Sequence, residues 1–384
     1  VIDCSNKYLA PGIIDVGVKI CEPGERHKES FRTASLAAAS GGVTSIITRP
    51  DTIPAIDTPE KLEFVIKRAD TVSPINIYPM AALTRDSAGS EMTELGLLRD
   101  AGAIGFTDCD QVMINNKIMT RFLTYAASLG MLVQGHPQDI TLSAGASATS
   151  GKFASLRGLP SVNAIAEMIG VQRDLAIVEL TGVKYHFDQL STARALDPLK
   201  RAKRDGLDVT AGASIHHLTL NEMDIGDYRT FFKIKPPLRA EDDRLAMIEA
   251  VADGTIDIIS SMHTPQDEES KRLPFEEAAS GAVGLETILP ASLKLYHNNS
   301  ISLPKLFRAL SLNPAKRFNL NRGTLEPNKK ADLVLFDADA PFVLNRFTLN
   351  SKSKNTPYDE SLMQGKVIKT FVNGQEVYGE STNE

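Results

Sequence analysis

Residues 11–24 decide the fold, and they read Pro11-Gly12-Ile13-Ile14-Asp15-Val16-Gly17-Val18-Lys19-Ile20-Cys21-Glu22-Pro23-Gly24. A proline and a glycine precede an apolar, β-branched run, which then passes into polar and turn-forming residues. This order is typical of a buried strand that ends at a loop. Because side chains alternate along a strand, Gly17 and Lys19 belong to the same side of its end.

Seven further short apolar runs end in the same way, and stretches with helical spacing lie between them. With 12–19, the strand runs are 44–50, 76–83, 103–108, 132–137, 183–189, 208–214 and 257–260. The helical stretches are 31–39, 59–68, 117–129, 162–168, 193–204 and 244–252. Strands that alternate with helices predict a parallel sheet, and eight repeats predict a closed (β/α)8 barrel. A doubly wound open sheet is the alternative, and no glycine-rich nucleotide motif supports it.

Two other stretches differ from the repeating pattern. Beyond about residue 320 the sequence alternates at 331–336 and 367–378, and the second stretch contains Asn373-Gly374. Alternation with an Asn-Gly pair predicts a hairpin, so the tail should form a small β unit. Residues 141–152 are rich in Ser, Ala and Gly, which predicts a flexible loop after the fifth strand.

The composition excludes several classes of protein. The 384 residues are 42% apolar and 23% charged with a net charge of -6, which is typical of a soluble globular protein with a large core. There is no basic stripe for nucleic acid, no apolar run of about 20 residues for a membrane, and no signal-peptide pattern. We therefore expect a cytoplasmic protein. Three cysteines without a CxxC spacing predict free thiols, namely Cys4, Cys21 and Cys109.

Residues 11–24 resemble the first barrel strand of the dihydroorotase family of metal-dependent amidohydrolases. The family has His-x-His at positions 17–19 and arginine at Cys21, while Pro11-Gly12, Asp15 and residues 22–24 fit its pattern. Similar motifs occur at 158–160, 215–218, 236–239, 274–278, 283–287, 313–315 and 355–358.

The resemblance implies that the chain divides into three parts. Residues 1–10 would end an N-terminal segment of a side domain, 11–320 would form the TIM barrel, and 321–384 would form the rest of the β side domain. We also expect a segment before Val1, because the family's side domain begins there.

The resemblance implies a zinc site whose ligands are mostly replaced in this chain. Gly17 and Lys19 stand where the family has two histidines, so a cation would lose two ligands and would face the positive charge of Lys19. Gln189 stands for a ligand histidine, and an amide oxygen is a poor zinc ligand. Met262 replaces the aspartate that binds metal and takes a proton from water, which a thioether cannot do.

Two candidate ligands remain, Asp108 and His136. A catalytic zinc needs about three protein ligands and an open position, so we expect no metal, no cofactor and no catalytic base. Three positions that resemble substrate contacts are also changed: Cys21 replaces arginine, Asp51 replaces asparagine and Gln266 replaces histidine.

Other chemistry remains possible at these strand ends. Cys109 and His136 could form a thiolate–imidazole pair, and Lys19 could act as a base with a depressed pKa. Alternatively Lys19 reaches toward Asp108 and simply fills the volume and charge left by a cation.

The resemblance and the replaced residues together predict a catalytically inactive dihydroorotase-like protein of pyrimidine biosynthesis. By analogy with homologues that lack the metal motif, it would support the assembly of aspartate carbamoyltransferase, and we expect an oligomer. The alternative is an active zinc-dependent cyclic amidohydrolase of the dihydroorotase, allantoinase or hydantoinase type. A small-molecule sensor is a third hypothesis, which no residue specifically favours.

Overall fold

A computed structural model describes residues 4–379 of the chain. Eight barrel positions follow one another along the sequence, and seven of them are regular strands. These are β2 (Ile13–Val18), β3 (Val43–Thr48), β4 (Asn76–Pro79), β5 (Leu132–Gly135), β8 (Lys184–Phe187), β9 (Val209–Ser214) and β10 (Ile258–Ser260). The fourth barrel position is the single residue Phe106, which bridges Ala81 on one side and Val133 on the other.

The barrel strands are parallel and close into a ring. β2, β3 and β4 form one arc, and β5, β8, β9 and β10 form the other. Phe106 joins the arcs on one side. On the other, the buried carboxylate of Asp15 in β2 accepts hydrogen bonds from the backbone and side chain of Ser261, the first at 2.7 Å. The prediction of a (β/α)8 barrel is therefore confirmed, and the alternative prediction of a doubly wound open sheet is wrong.

The opening stretch forms β2 because both of its faces are covered. All six residues of Ile13–Val18 are buried. Gly12, just before the strand, leaves no room for a side chain, since a Cβ there would lie 2.2 Å from the side chain of Thr44 in β3. Because Gly12 has no side chain, the first two barrel strands can pack closely at this point, with the β-branched Thr44 in the space beside it.

Helices alternate with the barrel strands and continue after the last of them. They are α1 (Phe31–Ser40), α2 (Pro59–Val72), α3 (Leu95–Asp100), α4 (Asn116–Ser128), α5 (Ile140–Ser143), α6 (Lys152–Arg157), α7 (Ile165–Thr181), α8 (Leu196–Arg204), α9 (Ile215–Thr219), α10 (Glu241–Asp253), α11 (Glu268–Lys271), α12 (Ile288–His297), α13 (Leu303–Phe307) and α14 (Asn313–Arg317). A capping box fixes the start of α1. The Ser30 hydroxyl accepts a hydrogen bond from the backbone N–H of Thr33, and the Thr33 hydroxyl accepts one from the backbone N–H of Ser30. None of the helices within residues 4–379 is both long and apolar enough to cross a membrane.

A second sheet packs beside the barrel and contains both ends of the described chain. Its order is β1 (Tyr8–Pro11), β11 (Leu333–Val343), β12 (Leu362–Val372) and β13 (Gln375–Gly379), with antiparallel neighbours. The predicted hairpin is confirmed, because Asn373 and Gly374 both have positive φ and connect β12 to β13. The predicted β side domain is present, while its boundaries at residues 10 and 320 stay predictions.

One loop prediction was wrong. Residues 141–152 include most of α5 and the two-residue strand β6 (Ala148–Thr149), which pairs with β7 (Ser161–Val162). The side chain of Asp139 begins α5 by accepting hydrogen bonds from the backbone of Thr141 and Leu142. That cap lies just outside the Ser- and Gly-rich stretch on which the prediction was based.

Candidate functional site

The candidate site is the barrel mouth, which we define as the carboxyl ends of the eight barrel positions. Lys19 follows β2, Asp51 follows β3, Gln189 follows β8 and Met262 follows β10. Parallel strands bring these four ends to one side of the barrel, where enzymes of this fold place their reactive groups. A cavity of about 640 Å³ lies elsewhere, beside α7 and α8 near the amino ends of the strands. We place the site at the mouth because the chemically distinctive side chains meet there.

A chain of four charged side chains crosses the mouth. The Lys19 ammonium lies 3.0 Å from an oxygen of Asp51. The guanidinium of Arg49 contacts both oxygens of Asp51, at 3.1 and 3.0 Å, and an oxygen of Asp110 at 3.0 Å. We call these residues the ion chain. It joins the ends of the first, second and fourth barrel positions, and the side chain of Arg49 within it is only 4% exposed.

The four side chains of the ion chain favour one another's charged forms. Burial would raise the pKa of Asp51 and of Asp110, but Arg49, together with Lys19 and other nearby positive charge, outweighs burial and lowers the pKa of both. Burial would lower the pKa of Lys19, but Asp51 outweighs it and the net shift is upward. The expectation that Lys19 is a base with a depressed pKa is therefore wrong, because its ammonium is paired with a carboxylate.

Gly17 and Met262 share one volume at the mouth. Gly17 has φ of +81°, and a Cβ at this position would lie 2.8 Å from the sulfur of Met262 and 3.1 Å from its methyl carbon. The Met262 side chain is buried. The thioether thus occupies the space that a larger side chain on β2 would need, so a histidine at position 17 could not enter unless Met262 moved.

Asp108 is held by the end of the neighbouring strand and does not meet Lys19. Its two oxygens accept hydrogen bonds from the backbone of Thr84 at 2.9 Å and from its hydroxyl at 2.6 Å. Burial raises its pKa to about 6. The expectation that Lys19 reaches toward Asp108 is wrong, since the Lys19 ammonium pairs with Asp51 and the Asp108 carboxylate bonds Thr84.

His136 is buried without a hydrogen-bond partner on either ring nitrogen within the described part of the chain. Burial lowers its pKa to about 4, so the imidazole is neutral. Cys109 is also buried, which raises the pKa of its thiol well above its ordinary value. The expected thiolate–imidazole pair is wrong, because no hydrogen bond joins these two side chains and the thiol stays protonated.

The altered substrate positions have separate surroundings. Cys21 is buried, and burial raises the pKa of its thiol to about 12. Gln266 faces away from the ion chain: its amide donates to the carbonyl of Ser280 at 2.9 Å, and its backbone donates to the side chain of Asn355 at 3.1 Å. Only Asp51 of the three takes part in the mouth's charge network.

Three residues of the mouth were missed in the sequence. Arg49 and Asp110 complete the ion chain, and Asp188 is a buried acid whose Oδ1 lies 3.9 Å from the Cβ position of Gly17. Burial raises the pKa of Asp188 to about 7. The adjacency of Arg49 to Asp51 signalled a local ion pair, whereas nothing in the sequence marked Asp188.

The mouth does not fit the zinc pair that the resemblance implies. Across residues 4–379, no three His, Cys, Asp or Glu side chains come together in a group that could hold a metal ion. Arg49, Asp110, Gln189 and Met262 surround a space of about 30 Å³. A neighbouring cavity of about 260 Å³ is lined by Asp110 and His136 but by no third side chain of these types among the described residues. We therefore derive no reaction step through a metal.

Comparison with known proteins identifies relatives along the whole chain. Residues 6–195 match the family model for Dihydro-orotase-like proteins. The chain is 39% identical over 382 residues to a dihydroorotase of Wolbachia sp. subsp. Drosophila simulans (strain wRi), covering 99% of this chain and 86% of that protein. It is 38% identical over 379 residues to a dihydroorotase of Syntrophus aciditrophicus (strain SB), covering 99% and 89%.

Solved structures share the architecture. The L-hydantoinase (dihydropyrimidinase) from Arthrobacter aurescens has a TM-score of 0.89 at 25% identity, covering 99% of this chain and 87% of that one. The dihydropyrimidinase from Brevibacillus agri NCHU1002 has a TM-score of 0.84 at 22% identity, covering 99% and 86%, and shows the likeness of fold alone. By its similarity to dihydroorotases over nearly all of its length, this chain belongs to the dihydroorotase-like family of the amidohydrolase superfamily.

Proposed function

We propose that this chain is a dihydroorotase-like protein of pyrimidine biosynthesis that does not hydrolyse cyclic amides by the family's zinc chemistry. The observation that carries the proposal is the position of the Met262 sulfur, which lies 2.8 Å from where a Cβ on Gly17 would be. A sulfur atom fills the place where a metal ligand and a proton acceptor would have to meet. Loss of a general base alone lowers a rate by about 10² to 10⁴-fold, before the loss of a metal-bound nucleophile is counted.

The ion chain supports the same proposal through its charge. Lys19 and Arg49 place two cationic groups at the mouth, and the carboxylates of Asp51 and Asp110 are already bound to them. A divalent cation entering here would be repelled by the two cations and would have to displace them from their carboxylates. The internal cations therefore compete directly with zinc.

The second candidate function is an active zinc-dependent cyclic amidohydrolase of the dihydroorotase, allantoinase or hydantoinase type. The names of the relatives favour it, since those that match at 36–40% identity are dihydroorotases. The side chains at positions 17, 19, 189 and 262 favour the first candidate. The two candidates differ in metal content and in turnover, so one preparation can distinguish them.

The test is to measure bound zinc and the interconversion of dihydroorotate and carbamoyl aspartate with the purified chain, before and after incubation with zinc. We expect substoichiometric zinc and no turnover above background. Met262→Asp should not create activity, because the other ligand positions stay empty. Stoichiometric zinc with turnover that His136→Ala abolishes would instead establish the second candidate.

We further propose that the chain acts in the cytoplasm as an oligomeric partner of aspartate carbamoyltransferase. The resemblance to homologues that lack the metal motif supports this, together with a barrel that keeps its fold although most of the ligand positions at its mouth are replaced. Size-exclusion chromatography with light scattering should show one complex when the carbamoyltransferase from the same cell is added. Separate elution of the two proteins at micromolar concentration would contradict the proposal and leave the zinc result unaffected.

A further inference from the structure

A second cavity lies outside the mouth and is lined by an excess of cationic side chains. It has a volume of about 200 Å³ and lies between α11, the turn Thr230–Phe232 and the loop 346–355. Its charged lining residues are Asp267, Glu268, Lys271, Arg346, Lys352 and Lys354. We call it the lysine cavity.

Lys271 is the unusual member of the lysine cavity, because it is only 3% exposed. Its ammonium donates to the backbone carbonyls of Thr230 at 3.0 Å and Lys233 at 3.2 Å. Within residues 4–379, no carboxylate oxygen forms an ion pair with it. Burial and the nearby charge of Lys233 lower its pKa to about 7. A buried ammonium without a counter-ion is costly, so an anion in the adjoining cavity would stabilise it.

The other two lysines also have donors to spare. The ammonium of Lys352 donates to the carbonyl of Arg26 at 2.8 Å, and that of Lys354 donates to the carbonyls of Leu349 at 2.6 Å and Ser351 at 2.7 Å. An ammonium has three N–H groups, so each retains at least one for a ligand. Neutral carbonyls leave the positive charge of both lysines uncompensated.

The acidic lining residues are already engaged by cations of their own. Glu268 lies 2.8 Å from Arg272, and Asp267 lies 3.9 Å from Lys28. Asp267 also caps α11 by accepting from the backbone of Ser270. The three lysines of the cavity are therefore not neutralised by its two acids.

The walls of the lysine cavity are held in place before any ligand arrives. The buried carboxylate of Glu29 accepts from the backbone of Lys352 at 3.2 Å and from the hydroxyl of Ser351, and it lies 3.4 Å from His263 after β10. The guanidinium of Arg346 lies over the ring of Phe231 at 5.1 Å. A site whose side chains are fixed in advance loses little entropy on binding.

We propose that the lysine cavity binds a phosphate-bearing small molecule. A multiply charged anion matches three ammonium groups better than a single carboxylate does, and lysine binds phosphate as a point charge. The volume admits inorganic phosphate or pyrophosphate, or the phosphate end of a nucleotide. This inference goes beyond the proposed function, because none of the three lysines belongs to the mouth.

The experiment is calorimetric titration of the full chain, treated with chelator, with pyrophosphate, phosphate and adenosine 5′-monophosphate at constant ionic strength. We expect saturable binding of at least one probe, with one site per chain. Tighter binding of the nucleotide than of phosphate would identify a phosphate carried on a larger molecule, and the reverse would identify a free phosphate anion. Absence of saturable binding for all three probes would overturn the proposal.

A matched pair of variants assigns the binding to Lys271. Lys271→Met should raise the dissociation constant at least about tenfold, yet it should unfold at an equal or higher temperature than the wild type without ligand. Lys203→Met is the control, because the Lys203 ammonium also binds carbonyls but has a carboxylate partner, Asp257, at 2.6 Å. It should bind the probe normally and unfold at a lower temperature.

The same variants can also contradict the proposal. Unchanged binding by Lys271→Met would overturn the assignment. If that variant fails to fold, the double variant Lys352→Ala/Lys354→Ala replaces it, and unchanged binding there would have the same meaning. Zinc content and turnover are measured on a portion of the same purified chain that was not treated with chelator, so failure here is distinguishable from failure of the proposed function.

Discussion

Gly17 and Met262 are complementary, and their substitutions should therefore not be additive. Gly17→Ala would place a methyl group 2.8 Å from the sulfur of Met262 at a φ of +81°, which should destabilise the fold by about 2 to 4 kcal/mol. Met262→Ala leaves a cavity and should cost about 2 to 4 kcal/mol. The double variant has no clash, so its loss of unfolding free energy should be smaller than the sum of the two single losses by about 1 kcal/mol or more.

Urea unfolding of the wild type, both single variants and the double variant measures this coupling. Gly130→Ala is a useful control for backbone strain, because Gly130 also has positive φ but no atom lies within 4 Å of its Cβ position. Gly130→Ala should cost less than Gly17→Ala. A double variant whose cost equals the sum of the singles would mean that the two residues do not share one volume.

The buried imidazole of His216 should make the fold sensitive to acid. Burial lowers its pKa from 6.5 to about 3, so the native state keeps it neutral while the unfolded chain takes up a proton near pH 6.5. Its stabilising contribution is therefore present above pH 6.5 and is lost as the pH falls toward 3. Relative to His216→Phe, the wild type should lose about 2 kcal/mol of unfolding free energy between about pH 7 and about pH 5.

Phenylalanine suits the site because Tyr358, which lies 3.4 Å from the imidazole, also hydrogen-bonds Thr219 at 2.6 Å and so keeps a polar partner. The comparison is made by denaturant unfolding at the two pH values. His27→Phe is the control, since the His27 side chain is 65% exposed. A constant difference between wild type and His216→Phe would show that His216 does not titrate as expected.

At the scale of elements, the ion chain ties the ends of β2, β3 and the fourth barrel position. Asp51 is its central member, because it binds both Lys19 and Arg49, whereas Asp110 binds Arg49 alone. Asp51→Asn should thus cost more, about 1 to 3 kcal/mol, than Asp110→Asn at about 1 kcal/mol, after allowance for partial exposure. Denaturant unfolding gives both values, and an equal or larger cost for Asp110→Asn would contradict the central role of Asp51.

Elements were predictable where local pattern and packing agree. The strand run at 12–19 became Ile13–Val18, and the helix at 59–68 became Pro59–Val72, because each has a clear apolar pattern and a turn or cap at its start. The run at 103–108 became a single bridging residue, Phe106. Its hydrogen bonds depend on the two neighbouring strands, which a local pattern does not contain.

At the candidate site, too, the sequence predicted less than the structure shows, because it did not indicate which side chains pair with each other. The sequence indicated which types of residue stand at the strand ends, because those follow from position along each run. It did not indicate that Lys19 pairs with Asp51 in preference to Asp108, since both acids follow barrel strands and differ only in where they point. Directions of side chains at a barrel mouth depend on the packing of all eight ends.

At the scale of the whole molecule, contacts between protein groups connect the ends of the barrel positions. Asp15 and Ser261 join the first and last barrel positions, and the ion chain joins the first, second and fourth. Because these ties use only protein groups, prolonged chelator treatment should leave the unfolding temperature unchanged within about 1 °C, and added zinc should not raise it. Scanning calorimetry of the full chain, with and without chelator and zinc, measures this. A fall of several degrees on chelation, restored by zinc, would show that a bound metal supports the fold after all.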